Sequence, residues 1–158
     1  ALRAVLRDSE RPGPRPALTP PVLQHFRVAE AQSLIHEVYQ SNLRPAAIGS
    51  LARCVQAAFS EGDEAAAGIL RAAADELESS GVSVARRLDL GAEAFPFILG
   101  GGIFRAVPWL RDELSRRLPA AVPGSTARLL DREPAAGAVS FAIQEAKGGA
   151  RIPRYRSE

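Results

Sequence analysis

The chain has 158 residues, of which 46% are hydrophobic and 24% charged, and its formal net charge is +2. This is the size and composition of one ordinary globular domain. Its apolar runs are too short to cross a bilayer, and no signal-peptide pattern is present, so we expect a cytoplasmic protein without membrane contact. Basic and acidic residues are interspersed before the RIPRYR cluster, so no nucleic-acid partner is expected.

Two features of the sequence indicate a fragment of a longer protein. The chain contains no methionine. Its opening ALRAVLRD has helical spacing at Leu2, Val5 and Leu6, yet no capping Ser, Thr, Asp or Asn precedes it. We therefore expect that the chain starts inside a helix, with a processed or engineered start as the alternative.

The first half of the sequence predicts a series of amphipathic helices. After the proline-rich loop SERPGPRPA, Thr19 is expected to cap a short helix that has Pro20 at its first position. Further helices are predicted from Glu30 to Gln40 and from Pro45 to Phe59. The side chains expected to face inward in these three helices are Val22, Leu23, Phe26, Leu34, Ile35, Val38, Ile48, Leu51, Val55 and Phe59.

A long helix should follow the Gly62-Asp63 pair. Gly62 is expected to end the preceding helix, and Asp63 to cap the stretch EAAAGILRAAADELESSGVSVARRLDL. Gly81 is a candidate bend in this helix. The side chains predicted to be buried are Ile69, Leu70, Leu77, Val84 and Leu88.

The second half alternates helix and strand. Phe95–Leu99 is a short apolar run typical of a buried strand, and TARLLD is a second candidate strand. Between them, helical spacing from Phe104 to Leu118 predicts a helix closed by Pro119 and Pro123. A final helix opens at Pro134, passes through Val139, Phe141, Ile143 and Ala146, and ends at Gly148 and Gly149.

This order predicts a mostly helical α/β domain over residues 1–150, with residues 151–158 as a flexible basic tail. Two strands buried on both faces need neighbours for their backbone donors and acceptors. The missing strands are therefore expected either in an amino-terminal part of a longer protein or in a partner chain, which makes a homodimer a possible partner arrangement.

The three glycines that follow the first strand, Gly100, Gly101 and Gly102, have two interpretations of equal weight. They could bring backbone N–H groups close to a nucleotide, or they could form a tight turn that needs positive φ. Neither GxGxxG nor GxxxxGK[ST] is present. Arg105 could reach a phosphate or ribose, although a solvent-facing arginine is the simpler reading. Ala58, with Ala57, could line an adenine slot or pack closely.

A family resemblance extends this interpretation. The stretches FPFILGGGIFRAVPWLRDEL and LLDREPAAGAVSFA resemble the carboxy-terminal end of the BadF/BadG/BcrA/BcrD-type ATPases and the N-acetylglucosamine and glucosamine kinases. These belong to the superfamily of sugar kinases, heat-shock chaperones and actin, which implies the carboxy-terminal lobe of an actin-like, ribonuclease H-like fold. In that family the strand, glycine pair and helix contact adenosine, which matches Gly101 and Gly102. The Gly62-Asp63 pair resembles a helix junction that flanks the nucleotide.

The resemblance also implies what this chain lacks. Family members carry an Asp-Gly-Gly phosphate loop, a central Asp that acts as general base and a second phosphate loop, and none of these motifs is present here. The complete protein would bind ATP with Mg²⁺ and phosphorylate an amino sugar, whereas this chain would supply the adenosine side. No catalytic residue and no metal ligand is therefore assigned in this chain.

Two alternatives stay open. One is an ATPase activator of the same family, which uses cysteines to hold an iron-sulfur cluster, although Cys54 is the only cysteine and lies in a predicted helix far from any glycine turn. The other is a nucleotide-binding fragment without activity of its own.

Overall fold

A computed structural model describes residues 1–9, 17–40, 49–90 and 94–149, with the backbone alone for Tyr39 and Gln40. The predictions for Pro45, Ile48 and the tail 151–158 concern residues outside these ranges. The helices are α1 (Leu2–Ser9), α2 (Thr19–Phe26), α3 (Ser33–Gln40), α4 (Leu51–Ser60), α5 (Glu64–Arg87), α6 (Gly102–Ala106), α7 (Pro108–Ala121) and α8 (Pro134–Ala146), and the strands are β1 (Phe95–Leu99) and β2 (Ser125–Leu129). The prediction of a mostly helical chain with two strands is confirmed.

The two strands form a parallel pair, in which Phe95 lies opposite Ser125 and Leu99 opposite Leu129. The Leu130 N–H donates to the Leu99 carbonyl at 2.9 Å. The backbone N–H and C=O groups of alternate residues of β1, starting from Leu99, therefore point towards β2. The backbone nitrogen of Pro96 therefore points away from β2, so the missing N–H removes no hydrogen bond between the two strands. One face of the pair packs against α5 and α7, since the ring of Phe97 reaches Gly81. The other face is exposed, so the prediction of a strand buried on both sides is wrong for the described residues.

The long helix α5 is buried mainly through alanines, together with Leu70. Its buried residues are Ala66, Ala67, Leu70, Ala74 and Ala85, whereas Leu77, Val84 and Leu88 are 41%, 54% and 48% exposed. The predicted burial of these three residues is wrong. The alanine stripe lets α4 and α7 approach closely, which turns the larger side chains away from the core.

Gly81 lies inside α5, which is continuous from Glu64 to Arg87, and it packs closely against neighbouring elements. A methyl group at Gly81 would lie 3.0 Å from Leu118 Cδ2 and 3.4 Å from Phe97 Cε1. Both contacts are tighter than normal packing of carbon atoms. A side chain at this position would push the end of Leu118 aside by a few tenths of an ångström, so glycine favours the close contact of α5 with α7 and β1.

We expect Gly81→Ala to lower the free energy of unfolding relative to Gly68→Ala. Both positions lie in α5, but a methyl group at exposed Gly68 would meet no heavy atom within 4 Å. Alanine at Gly68 should add about 0.5–1 kcal/mol through helix propensity. At Gly81 this gain is offset by overpacking of about 1–3 kcal/mol. Urea unfolding of both variants measures the difference, and equal stabilisation would show that the close contact is unimportant.

The helix predicted from Phe104 to Leu118 is two helices in the structure. Pro108 has no N–H to continue the first of them, and Val107 before it adopts an extended conformation, with φ −130° and ψ 80°. Val107 is fully buried and anchors this break in the core. The second helix then continues past Pro119 to Ala121, so the predicted end at Pro119 is also wrong.

The junction of α4 and α5 is closed by backbone geometry. Gly62 has a φ of +84°, its N–H donates to the Phe59 carbonyl, and the Asp63 N–H donates to the Ala58 carbonyl, as in a Schellman motif. Gly62 therefore ends α4, as predicted. Asp63 caps α5, because its Oδ1 accepts from the Ala66 N–H at 2.8 Å.

Asp63 also fixes the start of α2. Its Oδ2 accepts from the Leu18 N–H at 3.0 Å, and Leu18 occupies the cap position of α2. The prediction that Thr19 caps this helix is wrong, because the Thr19 hydroxyl donates to Asp8 Oδ2 at 3.2 Å instead. One buried carboxylate thus joins the beginnings of two helices that are distant in sequence.

Candidate functional site

The glycine turn connects β1 to α6 on the surface of the molecule. Gly100, Gly101, Gly102 and the following Ile103 are all exposed. Gly101 is the cap residue of α6, with φ 109° and ψ 162°, a conformation that residues with a Cβ atom rarely adopt. The α6 start has no side-chain cap, so its first backbone N–H groups have no side-chain acceptor there.

The three glycines differ in whether backbone conformation or packing requires a glycine at that position. Gly101 is required by its backbone conformation, which agrees with the turn interpretation. Gly100 would place a methyl group 3.5 Å from Leu130 Cδ2, an ordinary contact, so packing does not demand glycine there. At Gly102 a methyl group would meet no heavy atom within 4 Å, and its φ is not positive. Neither conformation nor packing therefore explains Gly102.

The other predicted contact residues lie on two helices, Arg105 on α6 and Ala58 on α4. Arg105 is exposed and forms no ion pair with any residue that the structure describes. Ala58 is only 1% exposed and belongs to the hydrophobic core, whereas its neighbour Ala57 is exposed. α4 packs against α6, and of this pair Ala58 lies on the buried side of α4 whereas Ala57 has access to solvent.

The Gly62-Asp63 pair has a structural role in this geometry. Both carboxylate oxygens of Asp63 accept backbone hydrogen bonds, and the residue is 8% exposed. A carboxylate with these partners is not open to a ligand. The pair instead holds the end of α4, which carries Phe59, beside the helices that follow the glycine turn.

The aromatic contact of Phe59 with Trp109 joins α4 to α7 and was not found from the sequence. The two ring centroids are 5.5 Å apart and the ring planes are tilted by 56°. Both side chains are half-buried against the core. Helical spacing could have placed each ring on an inward face, but the break at Val107 determines which side of α7 Trp109 occupies. As the only tryptophan in the chain, Trp109 is an optical reporter on the helix after the turn.

The single cysteine and the two histidines lie on three different helices. Cys54 is half-buried on α4, with Sγ 3.7 Å from the Pro21 carbonyl oxygen, and burial raises the pKa of its thiol. His25 Nε2 lies 2.9 Å from Ser50 Oγ, and His36 is exposed on α3. Over the described ranges no three His, Cys, Asp or Glu side chains are placed to hold a metal ion. No helix in the same ranges is both long and apolar enough to cross a membrane.

The comparison with curated proteins identifies one kinase with detectable similarity. The chain is 28% identical over 145 residues to an N-acetylmuramic acid/N-acetylglucosamine kinase of Clostridium acetobutylicum. The aligned region includes 92% of this chain and 47% of the kinase, so the chain spans about half the length of this relative. No family model matches the chain. The similarity supports a relationship to sugar kinases.

Proposed function

We propose that this chain is the adenosine-binding part of an ATP-dependent amino sugar kinase, of the N-acetylglucosamine or glucosamine kinase type. The glycine turn at Gly101 and Gly102 would lie against adenosine, and Arg105 would reach a phosphate or the ribose. The observation that carries this proposal is the exposed turn itself, in which Gly101 and Gly102 leave the backbone open at the start of α6. The similarity to a sugar kinase over most of the chain supports it independently.

The chemistry of the exposed turn fits a nucleotide. Without side chains at Gly101 and Gly102, a ligand can approach the backbone, whose polar groups can then take part in binding. The exposed guanidinium of Arg105 supplies positive charge and several donors for an anion. ATP would supply the phosphoryl group, and Mg²⁺ would neutralise the charge of the phosphates. No residue of this chain is assigned to hold Mg²⁺. Deprotonation of the sugar hydroxyl would belong to residues outside this chain.

We expect Gly102→Ala to weaken ATP binding at least about tenfold while leaving the fold unchanged. The added methyl group lies within 4 Å of no heavy atom in the part of the chain that the structure describes, so it should disturb binding only through the ligand. Gly101→Ala is a poorer probe, because the positive φ of Gly101 would strain the turn in the absence of any nucleotide. Titration with ATP, followed by Trp109 fluorescence and by calorimetry, measures the affinity.

Gly68→Ala is the matched control, since it also adds a methyl group at an exposed helical glycine with open surroundings but lies on α5. The same two variants should be examined in the longest protein that contains this chain. ADP release is measured there with N-acetylglucosamine, N-acetylmuramic acid or glucosamine as the substrate. If Gly102→Ala and Gly68→Ala bind ATP equally well, the glycine turn is structural. If none of the sugars stimulates ADP release, the kinase assignment is wrong even where ATP binds.

The iron-sulfur alternative receives no support from the position of Cys54. Burial raises the pKa of its thiol, which disfavours the thiolate that a cluster ligand must provide. Cys54 is also on α4 against α2, where its sulfur approaches the Pro21 carbonyl rather than an exposed subunit surface. The amino sugar kinase therefore remains the function that the residues favour.

A further inference from the structure

The chain segment that leaves β2 lies directly beside the glycine turn. The Leu130 N–H donates to the Leu99 carbonyl, and a methyl group at Gly100 would lie 3.5 Å from Leu130 Cδ2. Because β1 and β2 are parallel, the segments that follow them leave the sheet at the same edge. Ligands of α/β proteins commonly bind in the crevice outside the carboxyl ends of parallel strands. Residues 130–133 therefore share an edge with the candidate nucleotide site.

Asp131 is the first charged residue of this segment. It follows Leu130 directly, and it is exposed. Its carboxylate forms no hydrogen bond or ion pair with any residue in the described ranges. Neighbouring strands lie about 4.8 Å apart, so a residue next to Leu130 is close to a ligand that rests on Gly100 or Gly101. The carboxylate of Asp131 is thus available to accept hydrogen bonds from such a ligand.

Charges of opposite sign flank the two ends of the glycine turn. Asp131 adjoins the Gly100 end through Leu130. Arg105 lies almost one helical turn after Gly102, at the other end. A nucleotide has a matching polarity, because its phosphates are anionic whereas its ribose is a neutral diol whose hydroxyls donate hydrogen bonds. A guanidinium attracts phosphate, and a carboxylate accepts from hydroxyls but repels phosphate. The two charges therefore favour one orientation, with the phosphates towards Arg105 and the ribose towards Asp131.

We propose that Asp131 binds the ribose hydroxyls of the nucleotide and so selects ribonucleotides over deoxyribonucleotides. The glycines have no side chains, so the neighbouring segment is the source of a side-chain acceptor at this edge. Within residues 130–133 the carboxylates are Asp131 and Glu133, and Asp131 is the nearer to Leu130. Carboxylates of Asp or Glu perform this role in other nucleotide-binding α/β folds. The role of Asp131 rests on the proposed adenosine site, to which it adds recognition of the ribose.

Removal of the Asp131 carboxylate tests this role through the sign of its effect. We expect Asp131→Ala to weaken ATP binding by the 158-residue chain at least about tenfold, because a charge-assisted hydrogen bond to the ribose is lost. A carboxylate that does not contact the ligand would act in the opposite direction, since removal of negative charge favours the binding of an anion. Glu133→Ala is the matched control and should leave the affinity unchanged or raise it slightly. Calorimetry measures the ATP affinity of the three proteins.

A nucleotide analogue without ribose hydroxyls identifies the group that Asp131 binds. The wild type should bind 2′,3′-dideoxy-ATP at least about tenfold more weakly than ATP. Asp131→Ala should bind the two nucleotides with nearly equal affinity, because both changes remove the same hydrogen bond. The proposal is overturned if Asp131→Ala binds ATP as tightly as the wild type or keeps the wild-type preference for ATP. It is also overturned if Glu133→Ala weakens ATP binding as much as Asp131→Ala does.

Failure of the proposed function would give a different pattern. If the wild type binds neither ATP nor the dideoxy analogue, the adenosine site is absent and the role of Asp131 falls with it. Asp131→Ala replaces an exposed side chain and should keep the wild-type circular dichroism spectrum, so a loss of binding reports on the site. If Gly102→Ala weakens ATP binding whereas Asp131→Ala does not, the adenosine site stands and Asp131 lies outside it.

Discussion

Replacing Asp63 with alanine is expected to lower the free energy of unfolding by about 2–4 kcal/mol. The substitution removes the cap of α5, which by itself accounts for about 1 kcal/mol. It also leaves the buried Leu18 N–H without its acceptor, which adds about 1–3 kcal/mol. Urea or thermal unfolding followed by circular dichroism at 222 nm, a wavelength that reports helix content, measures the loss.

Two further variants separate these contributions. Asp63→Asn keeps an oxygen that can accept from Ala66 but places an amide beside Leu18, so its stability should lie between those of the wild type and Asp63→Ala. Glu64→Ala is the control for charge at the same helix end, because Glu64 is exposed and makes only a 3.6 Å ion pair with Arg71. Its effect should be below about 1 kcal/mol. A loss from Glu64→Ala as large as that from Asp63→Ala would contradict the role of the two buried hydrogen bonds.

The order of elements could be predicted from the sequence because local signals specify it. Proline at the start of α8, glycine after α4 and an apolar run at β1 each act within a few residues. The break at Val107 also had a local signal in Pro108, but the helical spacing on both sides of it concealed that signal. Sequence periodicity alone therefore joined two helices that the backbone separates.

Burial could not be predicted to the same degree, because it depends on which neighbours a helix meets. Leu77, Val84 and Leu88 fit an inward stripe of α5, yet alanines occupy the contact with α4 and α7. At the candidate site, the three glycines could be identified from the sequence. The sequence also left their two interpretations open, a ligand-binding site and a tight turn. The separation of Gly101, which the backbone requires, from Gly102, which it does not, needed the three-dimensional structure.

Leu114→Ala should produce the second large loss, about 3–5 kcal/mol in the free energy of unfolding. Leu114 is 1% exposed and belongs to the hydrophobic core, on the helix α7 that packs against α5 and β2. Shortening the side chain removes buried methyl groups and leaves a cavity, because a close-packed core relaxes only partly around the change.

Leu77→Ala on α5 is the matched control for that loss, since it makes the same chemical change at a side chain that is 41% exposed. We expect it to change the free energy of unfolding by less than about 1 kcal/mol. Denaturant unfolding of the two variants under identical conditions compares them directly, with unchanged m values as evidence that the folded state is intact. If Leu77→Ala is as destabilising as Leu114→Ala, then Leu77 is buried in solution, as the helical periodicity suggested, by a surface that covers the outer side of α5.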